Sequence, residues 1–402
     1  MDKLVANVRD RVLERIDLST EIMDEEIIRL IQEEICEEAK RTPLSIKRRV
    51  AIESQIFNSL RKLDILEDLL KDDEITEIMI NGPKDIFIEK SGQIEKSEMC
   101  FSSEEKLADV IQKIVADANK IVNETNPVCD SRLSDGSRIN IVLPPAAVDY
   151  PIVTIRKFPK EKMTMEKLLE YGSVSEEIVE FLKRLVIAGY NIFISGGTGS
   201  GKTSFLNALA EFIPSEDRVI TIEDSAELQL KNVSNIVRLE ARDANLEGKN
   251  AISIRDLLKS SLRMRPDRLV IGEVRGAEAL EMLQSFNTGH DGSFSTGHAN
   301  SCEDMIHRLE TMVLMGSEIP LLAVKQQIAA GIDIFVHLGR LRDRSRKVLE
   351  ISEVVGMVDG EIQLNPLFVF KEMEQIDRRI VGVWEKQGEL QGVEKLRRSG
   401  LA

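Results

Sequence analysis

The feature of this chain that most restricts its fold is the glycine-rich segment GGTGSGKT at residues 196–203. It matches the pattern GxxxxGK[ST], and it lies between the apolar run NIFIS and the helical pattern KTSFLNALAEFI. A strand, a glycine-rich loop and a helix in this order form a loop whose backbone N–H groups surround phosphate oxygens at the positive end of the helix. The sequence therefore predicts a nucleotide-binding P-loop.

The residue types in this loop indicate its contacts. We expect Lys202 to reach the β- and γ-phosphates, and the hydroxyl of Thr203 to bind Mg²⁺. A GTPase would also carry DxxG and NKxD motifs, and the sequence has neither, so ATP is the expected nucleotide. The residues predicted to bind the nucleotide are Gly197, Thr198, Gly199, Ser200, Gly201, Lys202, Thr203 and Ser204.

Carboxylates follow two later apolar strands. RVITIEDSAEL places Glu223, Asp224 and Glu227 at the end of one strand, and RLVIGEVRG places Glu273 at the end of the other. Ligands of open parallel α/β sheets bind beyond the carboxyl ends of the strands, so these acids are expected to face the phosphates. One acid, assigned here as Glu273, helps to hold Mg²⁺, and another orients or deprotonates the attacking water. The sequence leaves open which of Glu223, Asp224 and Glu227 does so.

Two of the four histidines, His290 and His298, lie in the segment FNTGHDGSFSTGHANS. Their polar, glycine-rich surroundings favour a pair of loop histidines that line a site. Zinc binding is the alternative, although Cys302 is the one cysteine nearby and no carboxylate is arranged as a ligand. His307 and His337 lie in no motif, and we interpret both as structural.

Two arginines upstream of the P-loop are candidates for phosphate contacts. A phosphoryl group in transfer needs positive charge beyond the P-loop lysine, often from an arginine of another domain or subunit. Arg138 and Arg156 lie in a different predicted domain from the P-loop. Surface salt bridges are the alternative role for both.

The hydrophobic pattern divides the chain into five parts. Residues 1–75 have helical spacing, which predicts a small bundle or, alternatively, a module for partner docking. Residues 76–158 predict a small mixed α/β domain, and residues 159–174 a linker. Residues 175–372 alternate strand and helix, which predicts a parallel sheet covered on both faces, and they end in antiparallel strands. Residues 373–402 are expected to form a helical tail.

Local signals predict particular boundaries. Thr42-Pro43 has the residue types of an N-cap and first helical position, which predicts a helix through about Leu70. Asp359-Gly360 predicts a tight turn between two of the antiparallel strands.

Composition limits the location and the class of protein. The four cysteines are far apart and form no CxxC pair, which indicates free thiols in a reducing cytoplasm. No apolar run approaches the ~20 residues of a membrane span, and the first residues lack a signal-peptide core. We therefore expect a cytoplasmic protein that meets the membrane only through partners.

Four motifs, in this order, resemble those of the secretion ATPases of type II and type IV systems and pili. They are a Walker A motif GGTGSGKTS, an Asp box TIEDSAEL, an atypical Walker B motif LRMRPDRLVIGEVRG and a His box TGHDGSFSTGHANS. The segments EIMINGPKDIFIEK, SRLSDGSRINIVLPP and EVVGMVDGEIQLNPLFVF resemble the CpaF branch, the ATPase of tight-adherence (Flp) pili. The tetracysteine zinc module of type II extension ATPases is missing.

This resemblance implies a RecA-like P-loop motor domain preceded by a PAS-like α/β domain, in a ring of six subunits docked on platform proteins of the inner membrane. It implies that Glu273 is the Walker B glutamate and that His298 senses the state of the nucleotide. It also implies that Arg138 and Arg156 contact phosphate. The implied Asp-box residues are Glu223, Asp224 and Glu227.

Two other functions are compatible with a P-loop. A nucleic-acid translocase has a similar fold, but one Trp, three Tyr and a net charge of −15 offer few stacking platforms and little basic surface. A non-catalytic nucleotide switch does not need both Lys202 and Glu273. The sequence thus favours an ATP-hydrolysing motor for pilus assembly, retraction or protein secretion, without direct nucleic-acid binding.

Overall fold

The computed structural model describes residues 3–16, 22–90, 92–158, 162–242, 244, 249–376 and 379–401. The chain forms two compact units, residues 1–160 and 161–402. The first residues of the predicted linker, 159–161, lie outside the described part. No helix in the described ranges is both long enough and apolar enough to cross a bilayer.

Four helices begin the first unit. Their bounds are α1 (Lys3–Arg15), α2 (Asp24–Arg41), α3 (Ile46–Arg61) and α4 (Leu66–Lys71). The aliphatic residues that recur at helical spacing in α1–α3 are buried together, and they include Val5, Val8, Val12, Ile27, Ile31, Ile35, Ile52 and Ile56. These three helices therefore pack through one apolar cluster.

The helix predicted from Pro43 to Leu70 is in fact two helices, so this prediction is wrong. Ser45 caps α3 with its side chain. Asp64, between α3 and α4, has a φ of 55°. A residue with positive φ cannot continue a right-handed helix, and the chain therefore starts again at α4.

An antiparallel sheet follows the helices. Its strands are β1 (Ile75–Asn81), β2 (Ile86–Lys90), β3 (Gln93–Lys96), β4 (Val128–Arg132), β5 (Arg138–Val142) and β6 (Ile152–Arg156), in the order β3-β2-β1-β6-β5-β4. Helix α5 (Glu104–Asp117) shares one apolar cluster with the sheet. Lys106 of α5 also donates to the Ser59 carbonyl of α3 at 2.6 Å. This bond joins α3 to α5 across the predicted boundary near residue 76.

The second unit alternates strands and helices. It begins with α6 (Met165–Glu170), α7 (Glu176–Ile187), β7 (Ile192–Gly196), α8 (Lys202–Leu209), β8 (Arg218–Glu223), β9 (Asn235–Glu240), α9 (Ile254–Ser261) and β10 (Arg268–Ile271). It continues with α10 (Ala279–Phe286), β11 (Phe294–Gly297), α11 (Cys302–Gly316), α12 (Leu321–Gly331), β12 (Ile334–Arg340), β13 (Arg346–Val358), β14 (Glu361–Ile376), β15 (Arg379–Lys386) and α13 (Glu394–Arg398).

These strands form one sheet in the order β15-β14-β13-β12-β7-β11-β10-β8-β9. The strands from β12 to β9 are parallel, which confirms the predicted parallel sheet. Alternate residues of β7 enter different apolar clusters: Ile192 and Ile194 one, and Phe193 the other. Both faces of the sheet are therefore covered. The strands β12 to β15 pair antiparallel, as the sequence predicts for the first three of them.

The predicted helical tail is wrong. Beyond residue 372 the described chain contains the end of β14, the whole of β15 and one short helix, α13. Packing explains the difference, because Trp384 of β15 lies opposite Phe370 of β14 with 5.1 Å between the ring centroids. The indole of Trp384 also donates to the Val348 carbonyl at 2.7 Å. These contacts extend the sheet instead of ending it.

Candidate active site

The P-loop connects β7 to α8, as predicted. Gly199 and Gly201 have φ values of 72° and 93°, in a region that favours glycine. Position 196 requires glycine because the backbone of Leu338 lies close to it. A Cβ atom there would be 2.4 Å from the Leu338 carbonyl oxygen. The loop is therefore held at the N-terminus of α8, where backbone N–H groups can meet phosphate.

Lys202 is buried at the base of this loop. Its Nζ atom donates to the carbonyl oxygens of Gly196 at 3.0 Å and Gly197 at 3.1 Å, and it lies 3.2 Å from Nδ1 of His298. Burial lowers the pKa of Lys202. An ammonium group has only donors, so Nδ1 of His298 is the acceptor of this contact.

His298 lies between Lys202 and Glu273. Its Nε2 atom is 2.9 Å from Oε1 of Glu273, and Nη2 of Arg275 donates to Oε2 of the same carboxylate at 2.7 Å. Burial, and next the charge of Lys202, lower the pKa of His298. A neutral ring that accepts at Nδ1 carries its proton on Nε2, facing Glu273. Lys202, His298, Glu273 and Arg275 thus form a line of adjoining polar groups, which we call the His298 line.

The three Asp-box acids have different surroundings. Glu223 is buried, and its Oε2 accepts hydrogen bonds from the backbone N–H groups of Glu227 at 2.8 Å and Leu228 at 3.0 Å. Burial raises the pKa of Glu223 to about 7. Asp224 is exposed and lies 3.8 Å from Nη1 of Arg275, and Glu227 is half-buried. Asp224 therefore adjoins the His298 line through its side chain.

The surroundings of the P-loop fit a triphosphate with Mg²⁺. The Oγ of Ser200 is a buried polar atom without a hydrogen bond in the described part of the chain. A cavity of about 540 Å³ opens beside the loop, and its walls include Gly197, Thr198 and Arg308. Buried oxygens that lack partners need a ligand, and a magnesium ion accepts oxygen ligands.

Comparison with known proteins decides the family. A family model described as "Type II/IV secretion system protein" matches residues 59–361. The chain belongs to this family. This chain is 32% identical over 303 residues to the type IV secretion system protein VirB11 of Brucella suis biovar 1. The match covers 69% of this chain and 84% of VirB11.

Two solved structures resemble its fold. One is the ATPase DotB of Legionella pneumophila, with a TM-score of 0.50 and 22% identity over 71% of this chain and 78% of DotB. The other is the pilus retraction motor PilT with bound ADP, with a TM-score of 0.52 and 20% identity over 76% of this chain and 82% of PilT. Family membership confirms the predicted ATPase and its predicted function in a secretion system, and it favours this function over a nucleic-acid translocase.

The two loop histidines, His290 and His298, do not lie close together in the structure. His290 precedes β11 and His298 follows it, so they lie at opposite ends of that strand. His290 donates through Nδ1 to the Ser285 carbonyl at 3.0 Å. The predicted histidine pair is therefore wrong, and this separation also argues against a zinc ion shared by both rings.

Arg138 and Arg156 are directly opposite each other on β5 and β6, in the first unit. Glu77 of β1 lies opposite Arg156 on its other side. The sheet thus gathers the two arginines that the sequence proposed. Their contact with phosphate stays a prediction.

Three further residues lie around the P-loop, and sequence reasoning missed two of them. His337, interpreted as structural, is buried below the loop and lies with Nδ1 2.9 Å from Oγ of Ser195. Arg346 donates through Nε to the Gly199 carbonyl at 2.8 Å, and Arg340 lies opposite Arg346 on the neighbouring strand. No motif marks these arginines, because strand pairing alone brings them to the loop.

Proposed function

We propose that this chain is a homo-hexameric, Mg²⁺-dependent ATPase of the CpaF branch. It powers pilus assembly or retraction, or protein secretion, through platform proteins of the cytoplasmic membrane. The observation that supports this function is the His298 line, which begins at the P-loop lysine and ends beyond the Walker B strand. Such a line couples phosphate binding to the acids that surround it.

Lys202 starts this coupling. Its ammonium donates to uncharged loop carbonyls and approaches the ring of His298. Phosphate oxygens are charged and form stronger hydrogen bonds than carbonyls do. We infer that Lys202 turns from the carbonyls to the β- and γ-phosphates when ATP binds. His298 then loses one partner, and its contact with Glu273 changes, so it senses the state of the nucleotide.

The carboxylates divide the remaining tasks. Thr203 and Glu273 would hold Mg²⁺, which neutralises phosphate charge when bound. Asp224 and Glu227 are the acids available to orient the attacking water. Glu223 is assigned to positioning, because one oxygen accepts two backbone N–H groups and the side chain is buried. It therefore holds the Asp-box loop in place.

The first unit has two proposed roles, partner docking and the supply of arginines for phosphoryl transfer. We assign its sheet and α5 to a PAS-like domain, and its first helices to partner docking. Arg138 and Arg156 provide the additional positive charge for phosphoryl transfer, from the same or a neighbouring subunit. The protein is peripheral to the membrane on its cytoplasmic side, and it binds no nucleic acid directly.

Removal of the P-loop lysine tests the proposal. ATP hydrolysis by the full chain with Mg²⁺ should be lost in Lys202→Ala and retained in Lys371→Ala, an exposed lysine of β14 that pairs with Glu385. Persistence of full turnover in Lys202→Ala would reject the site. Stimulation by single-stranded DNA would instead favour a translocase. Mass measurement with ATP and Mg²⁺ tests the six subunits independently.

A further inference from the structure

The β12–β13 hairpin reaches the outer side of the P-loop. β12 runs parallel to β7, with Leu338 opposite Gly196, so the end of the hairpin extends beyond the sheet alongside the loop. Arg340 and Arg346 are the last and first residues of the two strands and lie directly opposite each other. Two guanidinium groups are thereby carried to one side of the phosphate-binding loop.

Both arginines contact the glycines of the loop. Nε of Arg346 donates to the Gly199 carbonyl at 2.8 Å. A Cβ atom at Gly201 would lie 3.3 Å from Cδ of Arg346, and one at Gly199 would lie 3.8 Å from Nη1 of Arg340. The hairpin is therefore packed against the loop.

The contact with Gly199 sets the direction of the next N–H group. A trans peptide is planar, so its C=O and N–H point in opposite directions. With the Gly199 oxygen held by Arg346 outside the loop, the N–H of Ser200 points inward and donates to the Gly197 carbonyl at 3.3 Å. Nζ of Lys202 donates to that same carbonyl at 3.1 Å. Two donors thus converge on one acceptor, which is the arrangement that a phosphate oxygen would use.

We propose that Arg346 is a positioning residue for nucleotide binding, which holds the Gly199–Ser200 peptide with its N–H directed inward. This inference rests on the proposed nucleotide site. Arg346 acts through the loop, and without it the peptide is free to rotate and direct the Gly199 oxygen at the phosphate. Asp343 supports the position of the hairpin, because it accepts from the backbone N–H groups of Ser345 at 2.9 Å and Ile380 at 2.7 Å.

The test compares two arginines of the same hairpin. Arg346→Met removes the contact with Gly199, whereas Arg342→Met removes an equal charge from a residue that pairs with Glu372 instead. Arg346→Lys keeps the charge and one donor. We expect Arg346→Met to weaken binding of a fluorescent ADP analogue to the full chain about tenfold, as the loss of one hydrogen bond to a charged group implies. Arg346→Lys should recover most of this loss, and Arg342→Met should bind as the parent does.

Hydrogen exchange without nucleotide gives a second readout. Arg346→Met should speed amide exchange at residues 196–203, and Arg342→Met should not. Equal affinity and equal exchange in Arg346→Met and Arg342→Met would overturn the inference. A lower melting temperature of Arg346→Met with unchanged affinity for the analogue would also overturn it. Lys202→Ala separates the two proposals: if it binds the analogue as well as the parent does, the nucleotide site itself is wrong. If only Lys202→Ala loses binding, the site stands and the role of Arg346 fails.

Discussion

Nε2 of His298 lies 2.9 Å from Oε1 of Glu273, while Nδ1 of the same ring lies 3.2 Å from Nζ of Lys202. One imidazole thus connects the acid that follows β10 with the lysine that begins α8. Because burial and Lys202 lower the pKa of this histidine, the ring is neutral near physiological pH. A neutral imidazole can accept at one nitrogen and donate at the other, so it is suited to relay a change at the phosphates.

Replacement of His298 should therefore impair turnover more than binding. We expect His298→Ala to lower kcat about a hundredfold, the usual scale for a lost polar catalytic group, with little change in the affinity for ADP. A coupled ATPase assay and a fluorescent nucleotide titration measure the two effects. His290→Ala is the matched control, because His290 lies at the other end of β11. An unchanged kcat in His298→Ala would contradict the sensing role.

Glu223 should make stability depend on pH. Its pKa rises on folding from the ordinary value of 4.5 to about 7. A carboxyl group with a raised pKa favours the folded state below its unfolded pKa, and this stability is lost as pH rises through the folded pKa. Relative to Glu223→Gln, the parent should lose about 3 kcal/mol of unfolding free energy as the pH rises from 4.5 to about 7.

Urea unfolding at about pH 5 and about pH 8 measures this difference. Glu240→Gln is the control, because Glu240 is exposed at the paired position of β9. If the free-energy difference between the parent and Glu223→Gln is the same at both pH values, the buried acid does not hold a proton.

Asn191 should be important for the stability of the second unit. It is buried just before β7, where its Oδ1 accepts from the N–H groups of Gly292 at 2.9 Å and Ser293 at 3.0 Å. Its Nδ2 donates to the Gly331 carbonyl at 2.9 Å. Asn191→Ala leaves these backbone groups without partners, which should cost about 3 kcal/mol of unfolding free energy.

Asn191→Asp should be worse than Asn191→Ala at neutral pH, because it keeps the acceptor but adds a buried charge and loses the donor. Thermal unfolding followed by circular dichroism compares them. Equal melting temperatures for the parent and both variants would show that the amide does not anchor the strand.

Arg138 and Arg156 should affect hydrolysis and not nucleotide binding. We expect Arg156→Met and Arg138→Met to lower kcat about a thousandfold, as for other arginines that stabilise phosphoryl transfer. Lys96→Met is a control from β3, at the opposite edge of the same sheet from β4, where Lys96 pairs with Asp85. Parent-like turnover in both arginine variants would assign them to surface salt bridges.

Mixing experiments distinguish the subunit of origin. If these arginines act on a neighbouring subunit, a mixture of Lys202→Ala and Arg156→Met chains should regain ATPase activity, because some shared sites receive both intact residues. If they act within one subunit, the mixture should stay inactive.

Much of the second unit was predictable because its signals are local. Periodicity and glycine placement identified the strand, loop and helix around Lys202, and the two-residue turn at Asp359-Gly360 has positive φ values at both positions, as expected. The strand-end rule also placed Glu273 close to Lys202. The predictions fail where packing between distant segments decides the structure. The C-terminal tail is an example, because Trp384 packs against other strands and the tail joins the sheet.

The sequence by itself determined that a phosphate-binding loop stands between a buried strand and a helix, since backbone geometry and glycine positions are encoded within a few residues. Only the tertiary structure decided which groups surround it. It separated His290 from His298, buried Glu223 while leaving Asp224 exposed, and brought Arg346 to the loop. These arrangements depend on strand order and burial, and those arise from contacts between residues that are far apart in the chain.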